Sequence, residues 1–334
     1  MFKADEIRSP AGLLAIQSVP GVGPRIASGV VSVLDRFETN PVEWEQALAR
    51  AQQEVDSYRK AGALSVSIFD SAYPARLRDI WGVPPILYVR GSLEVLSAAR
   101  IVTVTGTRKP TASGCAATEE VVAGLAREGW VVVSSLDDGI DKVAHEAALA
   151  HRTETVSVLD SNLDCISPEP NRGLAEEIVD QGGSLVTEYR PSESATPKTF
   201  SRRDLIQTGL ATAVVITQTE LSGRAMHTAR RAAMLDRPIF CPTPDSRDKE
   251  NEGVWALLET PASQLGEKSS IWRYPKSLYR RLGDQPLARP IGENGLEDLD
   301  HSSSIPVAQE AEDAPEPTSA EAPLPQRAEL PPTH

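Results

Sequence analysis

Gly106, Arg108, Lys109, Ser113 and Gly114 stand together in the stretch IVTVTGTRKPTASG, residues 101–114 of a 334-residue chain. Ile101, Val102 and Val104 form a short β-branched run, Gly106 breaks it, and a helical pattern follows over 116–128. A strand, a small-residue turn and a helix start present unpaired backbone amides to an anion, and Arg108 and Lys109 add positive potential. The chemistry this suits is phosphate binding. An ordinary strand-to-helix turn with surface cations has the same local pattern.

Two further constellations carry chemistry. Gly21-Val22-Gly23 with Arg25 lies between apolar helical patterns and matches a helix-hairpin-helix, in which glycines let backbone amides approach a nucleic-acid phosphate. A tight interhelical turn used for packing would look alike. Asp141 and His145 are spaced i, i+4 on a helical stretch, which allows an acid/base pair on one face. Cys115, Cys165 and Cys241 are isolated, with no CxxC or His-rich spacing, so no disulfide framework, metal or cofactor is expected.

The elements that must position these residues read as follows. Residues 1–62 form a small helical unit of helix-hairpin-helix (SAM-like) character, with a last helix from Pro41 through Trp44 to Tyr58 that ends near Gly62. Residues 63–100 form an entry segment with strands near 64–69 and 86–89. From Ile101, strands at 101–104, 131–135, 155–159, 184–188, 213–217 and 238–241 alternate with helices at 116–128, 140–150, 171–181, 203–210 and 224–235. That rhythm predicts an α/β fold, a Rossmann-like parallel sheet with helices on both faces, over 63–282. Ligands of such sheets sit beyond the carboxyl ends of the strands, so the turns after Val104, Val133 and Ile216 share one edge.

Residues 283–334 hold nine prolines, and eleven acidic residues against two arginines. Such a stretch buries too little apolar surface to order itself and is expected to be a disordered tail. It also accounts for most of the net charge of −13. Between 196 and 237 the sign reverses, with seven Lys and Arg residues against three acids, so a local basic surface survives in an acidic protein. No apolar run approaches the roughly 20 residues of a membrane span, and residues 1–6 lack a signal-peptide core. No membrane partner is expected, and the cytoplasm is the expected compartment.

With the motifs taken in order, residues 71–262 resemble the DprA/Smf family, bacterial DNA-processing proteins that bind single-stranded DNA and help load the RecA recombinase. Tyr73-Pro-Ala-Arg-Leu77 and Pro84-Pro-Ile-Leu-Tyr-Val-Arg-Gly91 are similar to the family's entry segment, and Val104-Thr-Gly-Thr-Arg-Lys109 to its Gly-Ser-Arg turn. Ser134-Ser-Leu-Asp-Asp-Gly-Ile-Asp141 with Ala144-His145 resembles its glycine-rich block. Thr187-Glu188-Tyr189, Phe200-Ser-Arg-Arg-Asp-Leu-Ile206, Ser222-Gly-Arg-Ala-Met-His-Thr-Ala229 and Ile239-Phe-Cys-Pro242 complete the series.

The resemblance implies that Ser135, Gly139, Arg202, Arg203, Gly223 and Arg224 join the first turn in contacting phosphates, and that the chain is a homodimer without catalytic activity. The chain also departs from the pattern. Ser135 and Asp137 stand where the family has Gly and Ala, and Asp138 where it has a small or basic residue; the two carboxylates would repel an anion at the phosphate edge unless a cation or a basic side chain compensates. A family winged-helix domain gives way to the acidic tail. The expected function is therefore non-catalytic single-stranded DNA binding in DNA processing and recombination. The alternative is a regulatory or antitoxin partner of a phosphoribosyltransferase-like effector in a phage-defence module, genetically linked to this chain, with a nucleotide-sensing or vestigial pocket.

Overall fold

The computed structural model describes residues 4–18, 41–80, 82–190, 199–261, 264–265, 285–291 and 299. The hairpin residues Gly21, Gly23 and Arg25, and the tail beyond 291 apart from Leu299, lie outside the described residues.

The strands are β1 (Ala63–Ser67), β2 (Ile86–Gly91), β3 (Ile101–Thr105), β4 (Val131–Ser135), β5 (Thr155–Val158), β6 (Ser184–Thr187), β7 (Ala213–Ile216), β8 (Ile239–Pro242) and β9 (Ala288–Ile291). They form one sheet in the order β1-β2-β6-β5-β4-β3-β7-β8-β9. The seven strands from β6 to β9 in that order are parallel, whereas β2 runs antiparallel to both β6 and β1. The sheet is thus mixed rather than parallel throughout. The entry segment joins it by a hairpin-like return, which needs no crossover helix.

The central strands are apolar at nearly every position because both faces are covered. Ile101, Val131, Val133 and Val156 pack on Leu205, Ile206 and Leu210 of one flanking helix. Their neighbours Val102, Val104 and Val132 point the other way, onto Val121, Val122, Leu125, Ala144 and Ala148. The helices concerned are α5 (Ala112–Arg127), α6 (Ile140–Ala150) and α8 (Thr199–Leu210), with α7 (Arg172–Asp180), α9 (Ala225–Met234) and α10 (Glu252–Glu259) completing the layers.

Two sequence expectations change. Helices α1 (Ala4–Arg8), α2 (Pro10–Gln17) and α3 (Pro41–Lys60) do not enclose a core of their own: Leu13, Ile16, Trp44 and Tyr58 share one cluster with Tyr88, Leu159, Ile178 and Leu185 of the sheet layer. Tyr58 and Tyr88 stack with ring centroids 4.7 Å apart. Strand β9, moreover, comes from the segment expected to be disordered. Its Ala288 is buried among Ile239, Val254 and Leu257, and the register Ile239↔Ala288 to Pro242↔Ile291 extends the sheet. The short helix α4 (Ala75–Arg78) brings Leu77 into the cluster that holds Leu205, Ile206 and Leu210 of α8.

Candidate nucleic-acid interface

The strand order reverses at β3, which lies between β4 and β7 although β4 follows it in sequence and β7 comes much later. The turns after these three strands therefore meet at one switch point.

Their meeting is built on close approach. Gly139 has φ of 86°, and a Cβ there would lie 2.3 Å from the carbonyl oxygen of Thr107. Ile140 N donates to that same oxygen at 3.0 Å, so the turn before α6 is clamped onto the turn after β3. From β7, the carbonyl of Gln218 accepts Thr107 N at 2.8 Å. The Gln218 side chain accepts Thr111 N at 2.8 Å and donates to Thr111 Oγ1 at 2.9 Å. A Cβ on Gly106 would strike Ile140 and the Gln218 carbonyl, and one on Gly114 would strike Gln218 Oε1. A Cβ on Gly223 would likewise meet Thr219 Oγ1, so each of these glycines makes room for neighbouring protein atoms.

Thr111 caps α5, its hydroxyl accepting Gly114 N at 3.1 Å and meeting Ser113 Oγ at 3.0 Å. Ser113 and Lys109 are exposed beside it.

Beneath the clamp lies Asp141. Its carboxylate accepts Thr105 Oγ1 at 2.7 Å, Gly106 N and Ser135 N at 3.3 Å each, and the Ser135 hydroxyl. Burial and the nearby charge of Asp137 push it up to about 6, against the pull of Ser135, Arg203 and Thr105. His145, one turn on, faces elsewhere: Nε2 donates to the Ser135 carbonyl at 2.9 Å and Nδ1 meets Thr155 Oγ1 at 2.7 Å. Burial holds it down at about 4, so it is neutral at pH 7. The two side chains share a helix face but serve the scaffold separately. Ser135 likewise spends its hydroxyl on Asp141.

The arginines are placed differently from the sequence expectation. Arg203 is 5% exposed, with Nη1 2.9 Å from Asp137 Oδ2 and 3.3 Å from Asp160 Oδ2. Arg202 donates two hydrogen bonds to the Glu188 carboxylate, at 2.8 and 2.6 Å, and one to the Gly82 carbonyl at 2.7 Å. Both guanidiniums are engaged by protein carboxylates, and that of Arg202 by a backbone carbonyl as well. Arg108 remains at the rim, exposed, with Nη2 2.7 Å from the same Asp137 oxygen. Burial tends to raise Asp137, but Arg203 and Arg108 outweigh it and hold the carboxyl below its usual range. Asp138 turns outward and accepts Asn171 Nδ2 at 3.0 Å.

What results is a cleft of about 330 Å³, counting its open mouth, with Arg108, Arg203 and Arg224 facing Asp137, Asp138, Asp141 and Asp204. Thr105, Gln207 and Thr228 supply neutral polar groups. Sequence reasoning passed over Gln218 and Asp160, and met Glu188 only inside the motif Thr187-Glu188-Tyr189, with no role assigned to it. Each is a common polar residue near a strand end, and its partner lies far away in the chain. Among the described residues no cluster of His, Cys, Asp and Glu suits a metal, and no helix is long and apolar enough to cross a membrane.

Known proteins resemble this chain in sequence and fold. Residues 65–275 match the family of DNA recombination-mediator protein A. The chain is 27% identical over 230 residues to DNA processing protein DprA of Bacillus subtilis, covering 69% of this chain and 77% of that one. It is 31% identical over 198 residues to DprA of Streptococcus pneumoniae, covering 59% and 69%. The X-ray structure of the pneumococcal protein superposes with a TM-score of 0.63 at 25% identity, over 75% of this chain and 92% of that one. A structure of Helicobacter pylori DNA processing protein A, described for its single-stranded DNA binding mode, gives 0.51 at 27% identity, over 58% and 86%. The chain belongs to the DprA/Smf family, the DNA recombination-mediator A proteins.

Proposed function

We propose that this protein binds single-stranded DNA, without catalysing chemistry on it, along the carboxyl-end edge of β3, β4 and β7. The observation that carries the reading is that exposed Arg108 and Arg224 both line the switch-point cleft, with exposed Lys109 following Arg108 in the turn that leads to the capped start of α5. Cations so placed attract a phosphodiester backbone whatever its sequence, and the Ser113 hydroxyl adds a donor. The Helicobacter relative, similar over this region, supports the same ligand. Asp141 and His145, the acid and base spaced i, i+4, are each engaged in separate internal hydrogen bonds and do not form a pair. Arg202 and Arg203 act by positioning. The protein works as a homodimer in the cytoplasm, in DNA processing and recombination.

The test is anisotropy of labelled oligothymidylate at low salt. Micromolar or tighter binding with a negative salt slope is expected, and its absence overturns the reading. Light scattering on the full chain tests the dimer.

A second reading is favoured by the charge of the cleft itself, where four carboxylates face three arginines. A mixed-charge pocket suits a nucleotide ligand or a protein partner, such as a phosphoribosyltransferase-like effector, better than a phosphate track does. Stoichiometric co-purification of a genetically linked protein, with weak DNA binding, would favour this reading.

A further inference from the structure

A guanidinium drawn out of water needs acceptors, because its charge and its donors lose their hydration. Arg202 and Arg203 have carboxylates, and Arg90 has the carbonyl of Leu163. Arg237 has neither. Half-buried just past the end of α9, its side chain makes no hydrogen bond or ion pair with the described residues, and its Nε is enclosed without a partner. Its placement is fixed by the fold: Asp236 takes a left-handed φ of 52°, and Arg237 N donates to the Ala232 carbonyl at 2.9 Å in the turn that ends the helix. The carboxyl end of α9 favours a cation here, but no carbonyl there accepts the Nε.

The neighbouring charge is a second arginine. Arg76 of α4 donates from Nη1 and Nη2 to the carbonyls of Ala98 and Ala99, at 2.8 and 3.0 Å, and Ala98 packs in the same apolar cluster as Leu77 and Leu235. Two neutral carbonyls hold this guanidinium without cancelling its charge. Burial, and after it the charge of Arg76, draws Arg237 below the ordinary arginine range, and the carboxylate of Asp236 does not outweigh them. Burial lowers Arg76 as well. Ala98 and Ala99 precede β3 and Arg237 precedes β8, with β7 between these parallel strands. The pair therefore stands at the amino-end edge of the sheet, opposite the cleft.

Two half-buried cations repel each other, and an anion between them offsets that cost. A carboxylate brings one charge. A phosphate monoester brings nearly two at pH 7, with three acceptor oxygens, enough to meet both guanidiniums. We propose that Arg76 and Arg237 form an oxyanion site at the amino-end edge of β3 and β8, which takes a terminal phosphate group, borne by a strand end or free in solution. The site stands independently of single-stranded DNA binding at the cleft.

The test is thermal melting of the full chain in inorganic phosphate from zero to about 20 mM, with chloride adjusted to hold the ionic strength. The wild-type midpoint should rise by about 3 °C, because phosphate binds the folded state alone. Arg237→Gln should lose most of that rise while keeping its affinity for oligothymidylate. Arg237→Lys, which retains the charge without the fork, should keep part of the rise. Arg108→Gln, in the cleft, should do the reverse of Arg237→Gln, weakening oligothymidylate binding and keeping the phosphate shift. Oligothymidylates with 5′-phosphate and 5′-hydroxyl ends identify the source. Tighter binding of the phosphorylated strand by wild type, but not by Arg237→Gln, assigns the group to a strand end, and equal binding alongside the phosphate shift assigns it to free phosphate. Equal midpoint shifts in wild type and Arg237→Gln, as general exclusion of phosphate from protein surfaces would give, overturn the site. A wild-type midpoint that phosphate does not move overturns it whichever variants fold.

Discussion

Asp137 Oδ2 lies 2.9 Å from Arg203 Nη1, and the same oxygen also holds Arg108 Nη2 at 2.7 Å. One carboxylate thus compensates a buried arginine and restrains an exposed one. The residue that would repel a phosphate is also what keeps the rim cation oriented.

Asp137→Asn should therefore pull binding and stability in opposite directions. Removing the charge raises single-stranded DNA affinity severalfold, because an anion leaves the mouth of the cleft and Arg108 gains freedom. Arg203 keeps Asp160 at 3.3 Å, so the fold loses about 1–3 kcal/mol rather than collapsing. Oligonucleotide anisotropy and urea melts on one preparation measure both. Unchanged affinity would mean that Asp137 does not set the field at the rim.

Arg202 and Lys109 separate a positioning role from a binding role. Arg202→Ala removes the paired bonds to Glu188 and the bond to Gly82, and should cost about 2 kcal/mol. Lys109→Ala, at an exposed turn, should leave stability within about 0.5 kcal/mol and flatten the salt slope by about 0.7. A stable Arg202→Ala protein with a lost phosphate contact would reverse the assignment made from the geometry.

The contrast between those two residues shows where sequence is informative. The β-branched runs after Ile101 announced their strands because both sheet faces are buried, and Gly106 with Gly114 announced the small-residue turn between the first of them and its helix. Arg202 and Arg203 read as phosphate ligands because a linear motif displays their charge and conceals their partners. Glu188 is 14 residues away from Arg202, and Asp137 is 66 from Arg203. Gln218 had no signal beyond its place after a strand, yet it holds the first turn from two sides. Strand β9 spans four residues, too few for its pattern to stand out from a proline-rich background.

That strand makes a truncation informative. A chain ending after Ser303, where the first compact unit closes, should melt like the full protein. A chain ending after Gly283 loses β9, uncovers the edge of β8 and removes Ala288 from the core around Ile239 and Val254. Its midpoint should fall by about 5 °C. Equal midpoints by calorimetry would show β9 to be an ornament of the sheet.

Asp141 and His145 give opposite pH dependences. Asp141 is raised from 3.8 to about 6, so the native state holds its proton more tightly and stability falls as pH rises across that interval. His145 is lowered from 6.5 to about 4, so the unfolded state takes the proton first and stability falls as pH drops through that interval. The windows overlap between about 4 and 6, and the two slopes largely cancel. Asp141→Asn should expose the histidine, with stability rising by up to about 3 kcal/mol from pH 4 to 6.5; His145→Gln should expose the opposite slope from Asp141. Denaturant melts at half-unit pH intervals test the signs. Parallel profiles in the two variants would contradict the burial argument.

Gly114 and Gln218 should behave as one unit. A Cβ at Gly114 would sit 2.2 Å from Gln218 Oε1, so Gly114→Ala must expel the amide. The amide bridges Thr111 and Asn251, with its bond to Asn251 Oδ1 at 3.1 Å, and expelling it strips the cap of α5 of support. Each single change, Gly114→Ala or Gln218→Ala, should cost about 2 kcal/mol. Once Gln218 is gone, the alanine at 114 meets little, so the double variant should be only slightly less stable than either single one. That predicts a coupling of about 1–2 kcal/mol in a double-mutant cycle. Additive losses would place the strain elsewhere, against the helix backbone, and would free Gly114 for the close phosphate approach first expected of it.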